Sequence, residues 1–176
     1  MTFARTFLVA ALAATAMPVG AQTPAPRTGP TAYLQAGAAT APVADAYLKA
    51  YIGLDWDRLE TMLADDASFH DPTAARLFTG LAAQGKARMM TTFRTNYAGL
   101  KRMAFRSTRT IHSGDLALYQ GDLDYTLDMG DGRDVTSVAP MVIVIEVRDG
   151  KVASHRDYVD YAPFIAAERA SRPAKK

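Results

Sequence analysis

The spacing of apolar residues changes period half-way along this chain, and few folds accommodate that change. Up to Gly99, apolar residues recur at steps of three and four. Beyond it they alternate over long runs. Val43, Ala46, Tyr47, Ala50 and Tyr51 predict a helix over Val43–Ile52, ended by Gly53. Leu59, Met62 and Leu63 predict a second over Trp56–Ala64, capped by Asp55 or Asp57 and broken by Asp65-Asp66. Ala67–Asp71 reads as a short extended piece closed by Pro72, and residues 73–79 as a loop with a further short strand. Met89, Met90, Phe93 and Tyr97 mark a third helix over Ala82–Ala98. The second half then predicts four strands: Arg102–His112, Leu116–Asp128, Arg133–Val147 and Val152–Tyr161. Ser113-Gly114-Asp115, Gly130-Asp131-Gly132 and Asp149-Gly150 are the turns between them. Pro140 implies a bulge or an edge. Antiparallel strands of this length form a strongly curved sheet, and helices that come first must pack on one face of it. The expected class is therefore α+β: a cone-shaped, mostly antiparallel sheet against three N-terminal helices, with a pocket in its mouth.

The chain has 176 residues, and not all of them belong to this domain. Arg5, the uncharged run Phe7–Met17 and the small residues of Val19-Gly20-Ala21 read as a secretory signal cut after Ala21. Residues 22–42 hold Pro24, Pro26, Pro30 and Pro42 among Ala, Thr and Gly, the composition of a flexible or extended leader. The domain is expected over residues 43–168, with a basic tail over 169–176. A periplasmic or secreted location follows from the signal, and no stable membrane span is expected once it is removed.

Composition narrows the chemistry. There is no cysteine, which excludes disulfides, thiolate nucleophiles and Cys-ligated zinc. A net charge of +2, mixed along the chain, makes no electrostatic case for nucleic acid. Three separated histidines have no metal-binding spacing, and neither GxGxxG, GxxxxGK[ST] nor GxSxG occurs. No cofactor or metal is expected.

Strand alternation then selects the polar candidates, because residues two apart share a face. Phe69 and Asp71 point one way. One face of the second long strand reads Leu116, Leu118, Gln120, Asp122, Asp124 and Thr126; one face of the last reads Ala153, His155, Asp157, Val159 and Tyr161. If these faces converge, Asp71, Asp122, His155 and Asp157 share a cavity lined by Phe69, Phe93 and Tyr97. A carboxylate among apolar walls can act as acid or base near neutral pH, and a histidine beside it can pass a proton.

The phrases Ala64-Asp65-Asp66-Ala67-Ser68-Phe69-His70-Asp71-Pro72 and His155-Arg156-Asp157-Tyr158-Val159-Asp160-Tyr161 resemble the nuclear transport factor 2-like superfamily, and within it the SnoaL-like group, over about residues 43–166. The resemblance implies a small-molecule pocket and a homodimer formed through the outer sheet face. Toward ketosteroid isomerases it places Asp71 as the proton-shuttling carboxylate and Tyr47 as an oxyanion donor. Ile143 stands where a second donor would be, and one such donor is worth about 3–4 kcal/mol. Toward limonene epoxide hydrolases it matches Asp122 and Asp157 to two catalytic carboxylates. Gln120 replaces the arginine between them, and Phe69 and Asp71 replace the water-positioning Tyr and Asn.

The expected function is that of an exported, cofactor-independent acid–base enzyme of isomerase, cyclase or dehydratase type, with epoxide hydrolysis the weaker match. The substrate would be a small apolar carbonyl-bearing or cyclic molecule. Asp71 would move the proton, His155 and Asp157 would form a second polar pair, Tyr47 would donate a hydrogen bond and Gln120 would orient a polar group. Two alternatives stay open: a non-catalytic ligand-binding module of the cell envelope, or a protein-interaction module.

Overall fold

The structure is a computed structural model describing residues 28–78 and 81–173. Helix α1 (Pro30–Ile52) and helix α2 (Trp56–Met62) lead into strand β1 (Leu63–His70). A single 3-10 turn (Ala74–Arg76), a three-residue strand β2 (Ala82–Gln84) and helix α3 (Lys86–Asn96) follow. Strands β3 (Leu100–Ser113), β4 (Leu116–Asp128), β5 (Asp134–Arg148) and β6 (Lys151–Val159) come next, and helix α4 (Ala162–Ala170) ends the described chain. The strands form one six-stranded sheet in the order β2-β1-β6-β5-β4-β3. β1 and β6 run parallel, and every other pair is antiparallel. The class is α+β, as the change of period implies, with an open, curved mixed sheet and, among the described residues, four helices.

Several boundaries differ from the sequence reading for identifiable reasons. Helix α1 starts at Pro30, so residues 30–42 are helical and not a flexible or extended leader. Pro30 suits a first helical turn, where its missing N–H has no partner to lose. Pro42 lies inside the helix at the local cost such a position carries. The early turns are held from outside: the Tyr33 hydroxyl meets Ser113 Oγ at 2.9 Å on the β3–β4 turn. The predicted cleavage site and residues 22–27 of the leader lie outside the described residues.

Asp55 is the cap of α2, accepting from the Arg58 backbone N–H at 3.2 Å. That helix stops two residues early because Leu63 is already extended and pairs with Val152 of β6. The expected helix over Ala82–Ala98 divides at Gly85, whose φ of +86° favours glycine, leaving β2 before it and α3 after it. Residues 73–78 hold the 3-10 turn in place of the expected strand. The last strand ends at Val159, two residues short of the expected Tyr161, and Pro163 in the first turn of α4 starts a fourth helix over residues to which the sequence pattern assigns no element.

Pro140 sits within an unbroken β4–β5 register, opposite Asp122, so there is no bulge at that point. It lies one residue beyond the last β5–β6 pair, Met141–Val159, and its carbonyl accepts from the Asp160 N–H at 2.9 Å. Its missing N–H therefore faces the end of a ladder, where proline is tolerated.

Curvature has a specific device. β3 slips register between Ser107 and Arg109, directly across from Gly121 of β4. A Cβ on Gly121 would lie 2.2 Å from the Arg106 carbonyl oxygen. Only glycine lets the two backbones approach this closely. Gly121→Ala is expected to destabilise the fold by about 1–3 kcal/mol, the usual range for a forced overpacking. Chemical denaturation checks it; an unchanged midpoint would contradict the close approach.

The core lies between the concave face of the sheet and α1, α2 and α3. Tyr47, Tyr51, Leu59, Phe69, Met89, Phe93, Ile143 and Ile145 are buried there. Trp56 stacks on Phe93 with centroids 5.4 Å apart, and Phe69 meets Phe93 edge-on at 4.8 Å. This aromatic layer fills the narrow end of the fold and leaves the wide end hollow.

Candidate active site

The hollow end is a cavity of about 510 Å³. α4 and the residue that caps its N-terminus wall one side through Phe164 and Tyr161, the inner faces of β4 and β5 supply Leu123, Tyr125 and Met141, and the C-cap of α3 contributes Tyr97. Two carboxylates, Asp71 and Asp157, reach this otherwise mainly apolar wall, and both are nearly fully buried at 4% and 2% exposure.

Asp157 is the focus of a hydrogen-bonded chain. Its Oδ1 meets His155 Nε2 at 2.7 Å. Its Oδ2 accepts from the Tyr51 hydroxyl at 2.8 Å. On the far side of the imidazole, His155 Nδ1 meets the Tyr47 hydroxyl at 3.0 Å. In the tautomer with its hydrogen on Nε2, His155 donates to the Asp157 carboxylate and accepts at Nδ1 from the Tyr47 hydroxyl. Tyr51 has one hydroxyl hydrogen, already given to Asp157. The 2.9 Å bond between Tyr51 and Tyr97 therefore has Tyr97 as donor. Two donor lines, Tyr47–His155 and Tyr97–Tyr51, converge on one carboxylate.

Asp71 is held differently. Its Oδ1 accepts from the Thr73 N–H at 2.9 Å, the Thr73 hydroxyl at 2.6 Å and the Ala74 N–H at 2.9 Å. Its Oδ2 accepts from the Tyr161 hydroxyl at 2.6 Å. Thr73 Oγ1 in turn accepts from the Val159 N–H at 2.9 Å, tying the turn to the end of β6. One oxygen of Asp71 thus organises the turn after β1, and the other fixes Tyr161 in the cavity wall.

Burial, followed by the charge of Asp157, holds the Tyr47 and Tyr51 phenols well above the usual tyrosine range. Burial also raises Tyr97, again with Asp157 adding to it, and raises Tyr161 with help from its bond to Asp71. Tyr125 is pushed up to about 12 by burial. These groups are proton donors throughout the physiological range.

A SnoaL-like domain family matches residues 44–155 of the chain. The chain belongs to the SnoaL-like family. A candidate SnoaL-like polyketide cyclase from Shewanella denitrificans OS-217 superposes with a TM-score of 0.67 at 17% identity, over 74% of this chain and 97% of that one. An LEH-like epoxide hydrolase from M. tuberculosis superposes at 0.57 and 22% identity, over 75% and 91%. A protein with a ketosteroid isomerase-like fold from Catenulispora acidiphila DSM 44928, in complex with trimethylamine, does so at 0.58 and 18% identity, over 71% and 90%. At these identities the likeness is one of fold. A comparison with curated proteins finds no match.

The SnoaL-like cavity gathers some of the expected residues and not others. Asp71, Asp157 and Tyr97 line it. His155 and Tyr47 are fully buried behind Asp157 and reach the cavity only through it, so Tyr47 donates to His155 and not to a ligand. Phe69 and Phe93 pack against His155 from behind, with ring centroids 5.2 and 6.2 Å away, and form core, not wall. Asp122 and Gln120 are on the opposite face of the sheet. Inward positions on β4 are Ala117, Tyr119, Gly121, Leu123 and Tyr125, the reverse of the expected phase. Asp122 pairs with Arg106 on that outer face, and Gln120 borders a shallow groove with Pro140 and Tyr158. Asp122→Asn is accordingly expected to change stability by no more than about 1 kcal/mol and to leave ligand binding in the cavity unchanged, as calorimetry would show.

Tyr51 and Tyr161 are wall residues that the sequence reading did not select. Tyr51 follows Tyr47 by one helical turn, and Tyr161 shares the alternating face of His155 and Asp157; both signals were present in the sequence. Among the described residues no group of three or more His, Asp or Glu side chains is arranged to hold a metal ion. No described helix is long and apolar enough to cross a membrane.

The raised phenols have a measurable consequence. Six tyrosines (47, 51, 97, 119, 125 and 161) are shifted upward in the folded chain. Unfolded tyrosine ionises near about 10. The folded state therefore keeps these protons longer, and the stability they confer is complete below about pH 10 and is lost as pH climbs above it. Phenolate absorbance should lag in the native protein and then rise together with loss of near-ultraviolet dichroism. Smooth ionisation of all tyrosines without unfolding would contradict their burial.

Proposed function

We propose that this SnoaL-like protein is an exported, cofactor-independent enzyme that moves a proton on a small, largely apolar carbonyl-bearing or cyclic molecule. The observation that supports it is the placement of Asp157: a buried carboxylate on the wall of an apolar cavity, backed by a histidine and flanked by phenol donors. Asp157 is the better base of the two carboxylates, because three turn donors and Tyr161 already engage Asp71. In this reading Asp157 takes a proton from the carbon beside the carbonyl. The C–H electron pair forms a carbon–carbon double bond and the carbonyl π pair moves to its oxygen, which Tyr97 can meet by turning its hydroxyl from Tyr51. Return of the proton at another carbon completes an isomerisation; departure of a hydroxyl from the next carbon, taking up the proton held by Asp157 to leave as water, instead gives a dehydration. His155 holds Asp157 Oδ1 and so orients the base.

One observation favours a second reading, binding without conversion. Every hydrogen bond to the two carboxylates named above is satisfied from within the protein, as suits a preformed receptor wall. Incubating the protein with a panel of cyclic ketones and alcohols and reading product masses and spectra separates the two. A converted substrate supports the enzyme; a retained, unaltered ligand supports the module. The exposed Leu116, Val138 and Tyr158 of the outer sheet face support a homodimer through that face, which sedimentation would test.

A further inference from the structure

The charges around the cavity are unequal in kind. On the surface, Asp66, Asp122, Asp124 and Glu168 each face an arginine, and Asp65 faces Lys86. Asp71 and Asp157, the two buried acids, face the cavity, and among the described residues no lysine, arginine or histidine lines it. His155 touches Asp157 from behind and takes no part in the wall. Taking a carboxylate out of water is costly; here protein donors replace much of the lost hydration, and no opposite charge on the cavity wall adds to them.

Hydrogen direction sharpens this. Tyr51 gives its hydrogen to Asp157, Tyr97 gives its own to Tyr51, and Tyr161 gives its own to Asp71. Tyr51 already accepts from Tyr97, so the phenol oxygens left with lone pairs for a ligand are those of Tyr97 and Tyr161. A ligand that brings N–H donors matches the Tyr97 and Tyr161 oxygens without disturbing a bond; an acceptor placed against those two phenols must first turn one of their hydrogens away. The remaining walls are aromatic: Tyr51, Phe78, Tyr97, Tyr125, Tyr161 and Phe164 surround the space. Aromatic faces attract a cation, most strongly where water is excluded.

We infer that the ligand of this cavity is an apolar molecule bearing a protonated amine, seated with its ammonium between Asp71, Asp157 and the phenol oxygens and its hydrocarbon against the aromatic wall. This rests on the reading of the cavity as a small-molecule site and not on Asp157 acting as a base; a carbonyl substrate that fits both carries the amine as well. It also sets an exclusion: a carboxylate or phosphate of the same shape meets two like charges and no counter-charge.

The test uses four probes built on one hydrocarbon cage: 1-adamantylammonium, 1-adamantanol, 2-adamantanone and 1-adamantanecarboxylate. Their affinities for the full chain are measured by titration calorimetry at neutral pH. The ammonium is expected to bind at least about tenfold more tightly than the alcohol or the ketone, with the carboxylate weakest. In Asp157→Asn the ammonium should lose at least about tenfold while the alcohol stays within about twofold, a split that general loosening of the fold would not give. If the alcohol or ketone binds as tightly as the ammonium, the charge inference is overturned while the cavity reading stands. If none of the four binds, both fall. The wild-type series decides the inference by itself should the variant not fold.

Discussion

Asp157→Asn is expected to reduce turnover of a converted substrate by about 10²–10⁴-fold, the usual contribution of a positioned acid–base group. The substitution keeps the size and nearly the shape of the side chain. It removes the proton-accepting oxygen pair on which both donor lines converge. An amide has one acceptor and one donor end, so either His155 Nε2 or the Tyr51 hydroxyl would meet a donor in place of an acceptor. His155 can relieve this by changing tautomer, which would turn its Nδ1 into a second donor facing Tyr47. The variant is thus expected to stay folded with a stability loss of about 1–3 kcal/mol, the range for a disturbed buried polar pair. A kcat that falls with a nearly unchanged KM would place Asp157 in the chemical step. Asp71→Asn gives the contrast: it should loosen the turn at Thr73 and Ala74 and lower stability more than it lowers kcat.

Phe93→Ala is expected to produce the largest loss of stability, about 3–5 kcal/mol. Phe93 is fully buried and touches the aromatic layer on every side: Trp56 at 5.4 Å, Phe69 at 4.8 Å, and Tyr51, Tyr97 and His155 at 5.6, 5.5 and 6.2 Å between ring centroids. Removing the ring opens a void that α3 cannot close without leaving the sheet. The same void sits behind Tyr51 and His155, so ligand affinity should fall along with stability. Urea unfolding measures the first effect and calorimetry the second. A loss below about 1 kcal/mol would contradict the placement of this ring at the centre of the core.

The sheet and its class were legible because long alternating runs and turn signals are strong, local and redundant. The polar face of β6 was legible for the same reason: His155, Asp157 and Val159 alternate inward and Arg156 and Tyr158 alternate outward. β4 misled because both its faces carry apolar residues near one end and the outer one ends in Asp122 and Asp124, which resembles a pocket wall; the inner face is marked by Gly121, whose meaning lies in a backbone approach that no pattern shows. Helix α1 was hidden by Pro30 and Pro42, since proline-rich composition describes extended chain until a tertiary contact such as Tyr33 with Ser113 holds it otherwise. Which tyrosine meets the cavity could not be read from the stripe on α1. Tyr47 and Tyr51 share a face one turn apart, and the pairing of that turn with β6 sets Tyr51 against Asp157 at the void and Tyr47 against His155 behind it.

The central claim is that Asp157, oriented by His155, exchanges a proton with a molecule held in the cavity. The most direct measurement is hydrogen–deuterium exchange at the carbon beside the carbonyl of a bound cyclic ketone, followed in heavy water by nuclear magnetic resonance. The account predicts exchange catalysed by the wild-type protein and reduced by at least about 10²-fold in Asp157→Asn. Equal exchange by the two proteins, or a ketone that binds both and exchanges in neither, would contradict it.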